Sequence, residues 1–190
     1  MARLRTFIAL DLGKTIRDRC LSLQDTLARG GAEVKWVEEE NLHLTLLFLG
    51  EVEDRTLPAL CRAVADCCVL HDPFPLGVES VGCFPNPRRP RIVWVGVGVG
   101  NAEVCALHDA LETPLLDLGC YRREARVYTP HITLGRVKGE RGTDSLATAL
   151  ARQAKWRGGE TDVRELRVLS SELTSRGPIY TVLSRAKLRA

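Results

Sequence analysis

The chain has 190 residues, of which 45% are apolar and 27% are charged, and its net charge is +3 at pH 7. This composition is typical of a soluble globular protein, and no apolar run reaches the roughly 18 residues that a membrane helix needs. A charge of +3 is too small to establish a nucleic-acid partner. The short apolar segment after Thr6 lacks the features of a signal peptide, so we expect a cytoplasmic protein.

The predicted elements begin with a strand, and strands and helices then follow each other along the chain. Strand-like apolar patterns predict strands at residues 5–12, 34–37, 43–49, 76–84, 91–97, 126–134, 163–173 and 179–183. Helical spacing predicts helices at residues 14–29, 54–70, 102–118 and 143–153, with Asp54 and Asn101 as N-caps. A hairpin-type connection is predicted at residues 175–178. This order predicts an α+β fold with mostly antiparallel sheets.

Seven cysteines occur in the chain, and no two of them have Cys-x-x-Cys spacing. An odd number without paired spacing disfavours a disulfide framework or a zinc site. We expect reduced thiols that act as small apolar side chains in the cytosol.

Two short segments are nearly the same: His43-Leu44-Thr45-Leu46 and His131-Ile132-Thr133-Leu134, 88 residues apart. In a strand, residues two apart share a face, so each segment presents an imidazole and a hydroxyl on one side. The spacing predicts two similar lobes with helices outside, facing a central cleft and related by a pseudo-twofold axis. The absence of a linker predicts one bilobal domain over residues 1–190.

Two opposed histidines suit displacement at phosphorus without a metal. One imidazole can donate a proton to the departing oxygen while the other removes a proton from the attacking group. The two threonines can bind the non-bridging phosphate oxygens. A single His-x-Thr strand is more often structural, but the second copy favours a catalytic pair. Metal binding is the alternative, although neither motif has a third ligand nearby.

Other candidate residues carry weaker signals. His71 and His108 lack this context, and we interpret both as structural or solvent-facing. Arg136 follows the second motif, but strict alternation turns it away from the histidine unless a bulge intervenes. Phe48 could stack on a base, but the same alternation places it with Leu44 and Leu46 and favours packing in the core. The arginines at residues 88–91 and 122–126 form either solvated loops or a rim that steers phosphate.

These motifs and their surroundings resemble the 2H phosphoesterase superfamily, in particular its bacterial and archaeal RNA 2′,3′-cyclic phosphodiesterases, also named 2′–5′ RNA ligases. The resemblance covers essentially the whole chain. The matching segments are residues 5–12, 36–37, 41–52, 90–96, 130–136 and 177–180.

The resemblance implies two lobes of antiparallel sheet and hydrolysis of an RNA 2′,3′-cyclic phosphate to a 2′-phosphate, without metal or cofactor. It implies that His43 is the general acid and His131 the general base, with Thr45, Thr133 and Arg136 on the phosphate. The sequence alone is symmetric between the two histidines. The expected partner is an RNA end, from a tRNA fragment or short oligonucleotide; we expect no membrane partner and a monomer.

The sequence leaves two other functions open. The 2′–5′ ligase activity would use the same residues in the reverse direction, although the high concentration of water favours hydrolysis. A nucleotide-binding module without turnover is the other, but binding alone does not require two titrating groups.

Overall fold

A computed structural model describes residues 2–123, 125–175 and 177–189 of the chain. The described residues form one continuous, antiparallel sheet of nine strands. The strands are β1 (Arg3–Leu10), β2 (Val34–Trp36), β3 (Leu44–Glu53), β4 (Phe74–Phe84), β5 (Ile92–Val97), β6 (His131–Val137), β7 (Arg157–Val163), β8 (Glu165–Leu173) and β9 (Pro178–Lys187).

The sheet consists of two halves that join where β3 pairs with β6 through Leu44 and Ile132. The first half-sheet has the order β3-β1-β8-β9 and the second has the order β6-β5-β4-β7, with β2 added beside β6. The first half therefore has four strands and the second has five, and each carries a His-x-Thr segment at its innermost strand. This arrangement confirms the predicted α+β fold and its internal duplication.

In the described part of the chain, four α-helices cover the outer side of the sheet. Helices α2 and α3 pack together on the first half-sheet, whereas α1 and α4 pack on the second. Their apolar stripes and the inward faces of the strands form one large buried core, as expected for helices that bury one face. The helices are α1 (Lys14–Ala28), α2 (Leu57–Cys68), α3 (Asn101–Asp117) and α4 (Thr143–Arg152).

Three local predictions are wrong. Strand β7 was not predicted, because its sequence RGGETDV is polar and contains two glycines; backbone pairing with β4 forms it. The strand predicted to end at residue 49, before Gly50, continues as β3 to Glu53, with Gly50 at a positive φ of 71°. The proposed N-caps also fail, because Gly100 precedes α3 and a 3-10 turn begins at Asp54.

The hairpin between β8 and β9 is confirmed by their antiparallel pairing up to Leu173 and Pro178. Arg176, within the predicted connection, lies outside the described residues. All seven cysteines are free thiols. Within the described ranges, no helix is both long and apolar enough to cross a membrane.

Candidate active site

The junction of the half-sheets brings the two His-x-Thr segments together. Since Leu44 and Ile132 are an antiparallel pair, His43 lies opposite Thr133 and Thr45 lies opposite His131. Leu44 and Ile132 are fully buried in the core, whereas the four polar side chains are partly exposed on the other face. The concave side of the sheet thus carries two imidazoles and two hydroxyls in a diagonal arrangement.

Both imidazoles are oriented by the same backbone contact. The Nδ1 atom of His43 is 2.7 Å from the carbonyl oxygen of Asn41, and that of His131 is 2.7 Å from the carbonyl oxygen of Thr129. A carbonyl oxygen only accepts hydrogen bonds, so each Nδ1 carries a proton and donates it. The Nε2 atom of each ring is therefore the one that can accept or release a proton.

The surroundings of His43 are aromatic. Its ring centroid lies 5.0 Å from that of Phe7 and 5.3 Å from that of Tyr180. Burial lowers the pKa of His43 below its ordinary value of 6.5, and the charge of His131 lowers it further, against the opposing effect of the Asn41 carbonyl. The coupling between the imidazoles indicates that they act on the same space. His131 likewise packs edge-on against Phe84, at 5.2 Å.

A bulge in β6 changes the direction of Arg136. The pairing of β6 with β5 shifts by one residue at Leu134, immediately after Thr133. An extra residue reverses the alternation of side chains, so Arg136 is exposed on the same face as His131. The difficulty that strict alternation raised for Arg136 is resolved by this bulge.

Strand β3 has a bulge at the equivalent position. Its pairing with β1 shifts at Leu46, immediately after Thr45. Phe48 is consequently 51% exposed, with its ring 5.7 Å from that of Phe7. The prediction that Phe48 packs in the core is wrong for this reason. Each motif therefore presents a further side chain five residues after its histidine: an aromatic ring in one half and a guanidinium in the other.

Gly135 allows the second bulge to pack closely against β2. A Cβ atom at this position would lie 2.6 Å from Cγ1 of Val34 and 2.8 Å from Cε3 of Trp36. Both distances are shorter than any ordinary contact, so a larger residue would displace β2 or β6. The absence of a side chain at Gly135 thus helps to fix the strand from which Arg136 projects.

Sequence reasoning missed Tyr128, which links the two motifs. Its hydroxyl donates a hydrogen bond of 2.7 Å to the carbonyl oxygen of Thr45. Its ring stacks on His108 with 4.0 Å between centroids and 5° between planes. His108 is buried in α3, which agrees with its predicted structural role. Only its position three residues before His131 could have drawn attention to Tyr128.

Comparison with known proteins identifies the family. The model of the LigT like Phosphoesterase family matches residues 10–94. An RNA 2′,3′-cyclic phosphodiesterase of Methanothermobacter thermautotrophicus is 41% identical over 94% of this chain and 96% of its own length. The chain belongs to the LigT-like phosphoesterase family.

Solved structures extend the likeness of this LigT-like protein to the whole fold. TT0787 of Thermus thermophilus aligns with a TM-score of 0.82 at 27% identity, over 98% of this chain and 99% of the other. Escherichia coli LigT in complex with 3′-AMP aligns with a TM-score of 0.78 at 26% identity, over 99% of each chain. The family model spans only the first His-x-Thr segment, whereas these alignments span both.

A cavity of about 120 Å³ adjoins His43 in this LigT-like protein. Tyr180 and Leu169 form part of its apolar wall, and Asp11 and Arg167 form part of its polar wall. Asp11 accepts a hydrogen bond of 2.9 Å from Arg167, so its charge is compensated. A larger cavity of about 290 Å³ beside His71 includes neither motif.

The remaining predicted features lie elsewhere. The arginines at residues 88, 89, 91, 122, 123 and 126 are all exposed, and Arg123 is paired with Glu112 at 3.0 Å. Within the part of the chain that the structure describes, no three His, Cys, Asp or Glu side chains are grouped as metal ligands.

Proposed function

We propose that this protein hydrolyses 2′,3′-cyclic phosphate ends of RNA to 2′-phosphates, with His43 as general acid and His131 as general base. The observation that carries the proposal is the meeting of two His-x-Thr segments at one strand junction, each with its Nε2 atom left for proton transfer. The activity for which the relatives are named, RNA 2′,3′-cyclic phosphodiesterase, supports the same reaction.

The reaction needs one proton removed and one proton supplied. Nε2 of His131 takes a proton from water, and the water oxygen attacks phosphorus. The bond from phosphorus to the 3′ oxygen breaks, and Nε2 of His43 gives its proton to that oxygen. The product is a 2′-phosphomonoester with a free 3′-hydroxyl, and each proton transfer contributes about 10²–10⁴-fold.

The electrostatics of His43 link its protonation to substrate binding. In the free protein its pKa is lowered by burial and by His131, so its neutral form is favoured at pH 7. An anionic phosphodiester beside His43 favours the charged form of this imidazole and raises its pKa. His43 therefore becomes an effective acid when the substrate is bound.

The other side chains stabilise and recognise the substrate. The hydroxyls of Thr45 and Thr133 donate to the non-bridging oxygens, where charge develops in the transition state. Arg136 adds a charged, forked contact to the same phosphate. The exposed ring of Phe48 provides a surface on which a base can stack. The complex of the related E. coli LigT with 3′-AMP supports a nucleotide as a ligand of this protein.

We also propose that residues 1–190 act as one unit and as a monomer, because a single chain supplies both histidines. Its free thiols suit a reducing cytoplasm, where tRNA fragments or short oligonucleotides are the expected substrates. Neither a metal ion nor a cofactor enters the proposed reaction.

The experiment is incubation with an RNA oligonucleotide that ends in a 2′,3′-cyclic phosphate, in the presence of EDTA. The position of the phosphate in the product is then determined by NMR of ³¹P or by a 3′-specific phosphatase. A 2′-phosphate supports the proposal. A 3′-phosphate contradicts the assignment of acid and base, and binding without product would favour a nucleotide-binding module.

A further inference from the structure

A basic and aromatic strip continues from the site along the first half-sheet. Phe7 lies beside His43 and is flanked by Phe48 at 5.7 Å and by Tyr180 at 4.9 Å. Arg5 is two residues before Phe7 on β1 and therefore shares its face. The packing of β1 agrees, because Ile8 lies in the main core whereas Phe7 is buried in a separate small cluster with Ala9 and Leu169. Arg5 is exposed at the end of this second face.

Among the described residues, Arg5 forms no ion pair. Arg3, on the same strand and face, pairs with Glu53 at 3.4 Å. Arg5 lies opposite Glu51 in the ladder, yet within the described residues its guanidinium takes part in no ion pair or side-chain hydrogen bond. An exposed guanidinium without a carboxylate partner is available to an external anion.

Arg5 and Arg136 approach the same part of the site from different half-sheets. Both lower the pKa of the Tyr180 phenol, against the larger opposing effect of burial. The ring of Tyr180 in turn lies 5.3 Å from that of His43. Two guanidinium groups therefore act on the space beside the proposed acid, one from β1 and one from β6.

We propose that Arg5 binds a second phosphate of the RNA, the phosphodiester on the 5′ side of the terminal nucleotide. This inference rests on the proposed function, in which the terminal cyclic phosphate lies between His43 and His131. Arg5 and Phe7 are about 7 Å apart along β1, and the ring of Phe7 lies 5.0 Å from that of His43. The long side chain of Arg5 is therefore placed next to the site of the terminal phosphate, where the adjacent phosphate of the chain would lie. The preferred substrate is then an oligonucleotide, and a nucleoside 2′,3′-cyclic phosphate lacks one of the two anionic contacts.

The test compares three substrates: a nucleoside 2′,3′-cyclic phosphate, a dinucleotide ending in a 2′,3′-cyclic phosphate, and the same dinucleotide with a neutral methylphosphonate linkage. The proteins are the wild type, Arg5→Gln and, as matched control, Arg3→Gln. We expect Arg5→Gln to reduce kcat/KM for the charged dinucleotide about tenfold more than for the mononucleotide, the effect of one hydrogen bond between charged groups. Arg3→Gln should leave the ratio of the two substrates unchanged.

The methylphosphonate supplies an independent readout. The wild type should prefer the charged linkage about tenfold, and Arg5→Gln should lose this preference. The second phosphate site is overturned if Arg5→Gln keeps the preference for the charged linkage, or if its kcat/KM falls equally on the mononucleotide and the dinucleotide. If the wild type hydrolyses none of the substrates, the proposed function fails. The phosphate site is then tested by binding: the wild type should bind the charged dinucleotide more tightly than the neutral one, and Arg5→Gln should bind both equally.

Discussion

Replacing Tyr128 by phenylalanine tests whether the two motifs are held in register by a bond between the half-sheets. The Tyr128 hydroxyl donates to the Thr45 carbonyl at 2.7 Å, whereas its ring stacks on His108. Tyr128→Phe removes the hydroxyl and keeps the stacked ring. The substitution is therefore specific for the contact to the first motif.

The expected magnitude follows from the lost bond. Loss of a partly buried hydrogen bond that leaves its acceptor unsatisfied costs about 1–3 kcal/mol of unfolding free energy. The ladder joins the two motifs through the pair Leu44 and Ile132, so the positions of His43 and His131 should also change slightly. A small misplacement of catalytic groups can reduce kcat by up to about 10²-fold, and we expect a loss of at least tenfold.

Tyr121→Phe is the matched control, because the Tyr121 hydroxyl donates to Glu112 at 3.0 Å, a contact that includes neither motif. Urea unfolding gives the stability of both variants, and single-turnover hydrolysis of a cyclic-ended oligonucleotide gives their activity without denaturant. Both variants should lose similar stability, but only Tyr128→Phe should lose activity. Equal activity in the two variants would refute the positioning role of Tyr128.

Three further predictions concern the cleft. Arg136→Lys keeps the charge but loses the forked geometry, so kcat/KM should fall about tenfold. The melting temperature should not change. Wild-type kinetics in this variant would show that the bulge does not direct Arg136 to the phosphate. Phe48→Ala should raise KM for an oligonucleotide about tenfold, the effect of one stacked base, with little loss of stability because the ring is 51% exposed; an unchanged KM would contradict stacking. NMR titration of the wild type should give His43 a pKa below 6.5. In His131→Gln the pKa of His43 should be higher, because a positive neighbour is removed; the same His43 pKa in both proteins would contradict the coupling. His43 must be protonated to act as the acid, and its pKa is lower in the free protein than in the substrate complex. The profile of kcat/KM, which reports the free protein, should therefore fall at a lower pH than the profile of kcat, which reports the substrate complex.

The sequence predicted what depends on periodicity. Alternation in two similar segments placed His43 with Thr45 and His131 with Thr133 on one face of each strand, and the structure has them so. The shared face of each His and Thr could be predicted because the alternation of side chains is regular from the histidine to the threonine of each segment.

Side-chain direction beyond each motif could not be predicted in the same way. The bulges at Leu46 and Leu134 reverse the alternation, and neither leucine differs in type from its aliphatic neighbours. The parity argument therefore failed for Phe48 and left Arg136 undecided. A bulge is fixed by pairing with a distant strand, which a local pattern does not contain.

Contacts between distant segments were equally hidden. The bond from Tyr128 to Thr45 spans 83 residues, and the polar strand β7 exists because β4 offers it a free edge. Both depend on tertiary placement, which overrides local preference.

The most direct measurement of the central claim is single-turnover hydrolysis by His43→Gln, His131→Gln and the double variant, with thermal melting as a control for folding. If the two histidines act as one acid and base pair, each single variant should lose at least about 10² in kcat. The double variant should lose much less than the product of the single losses, as for residues that act as a unit. Wild-type kcat in either folded single variant would contradict the two-histidine mechanism.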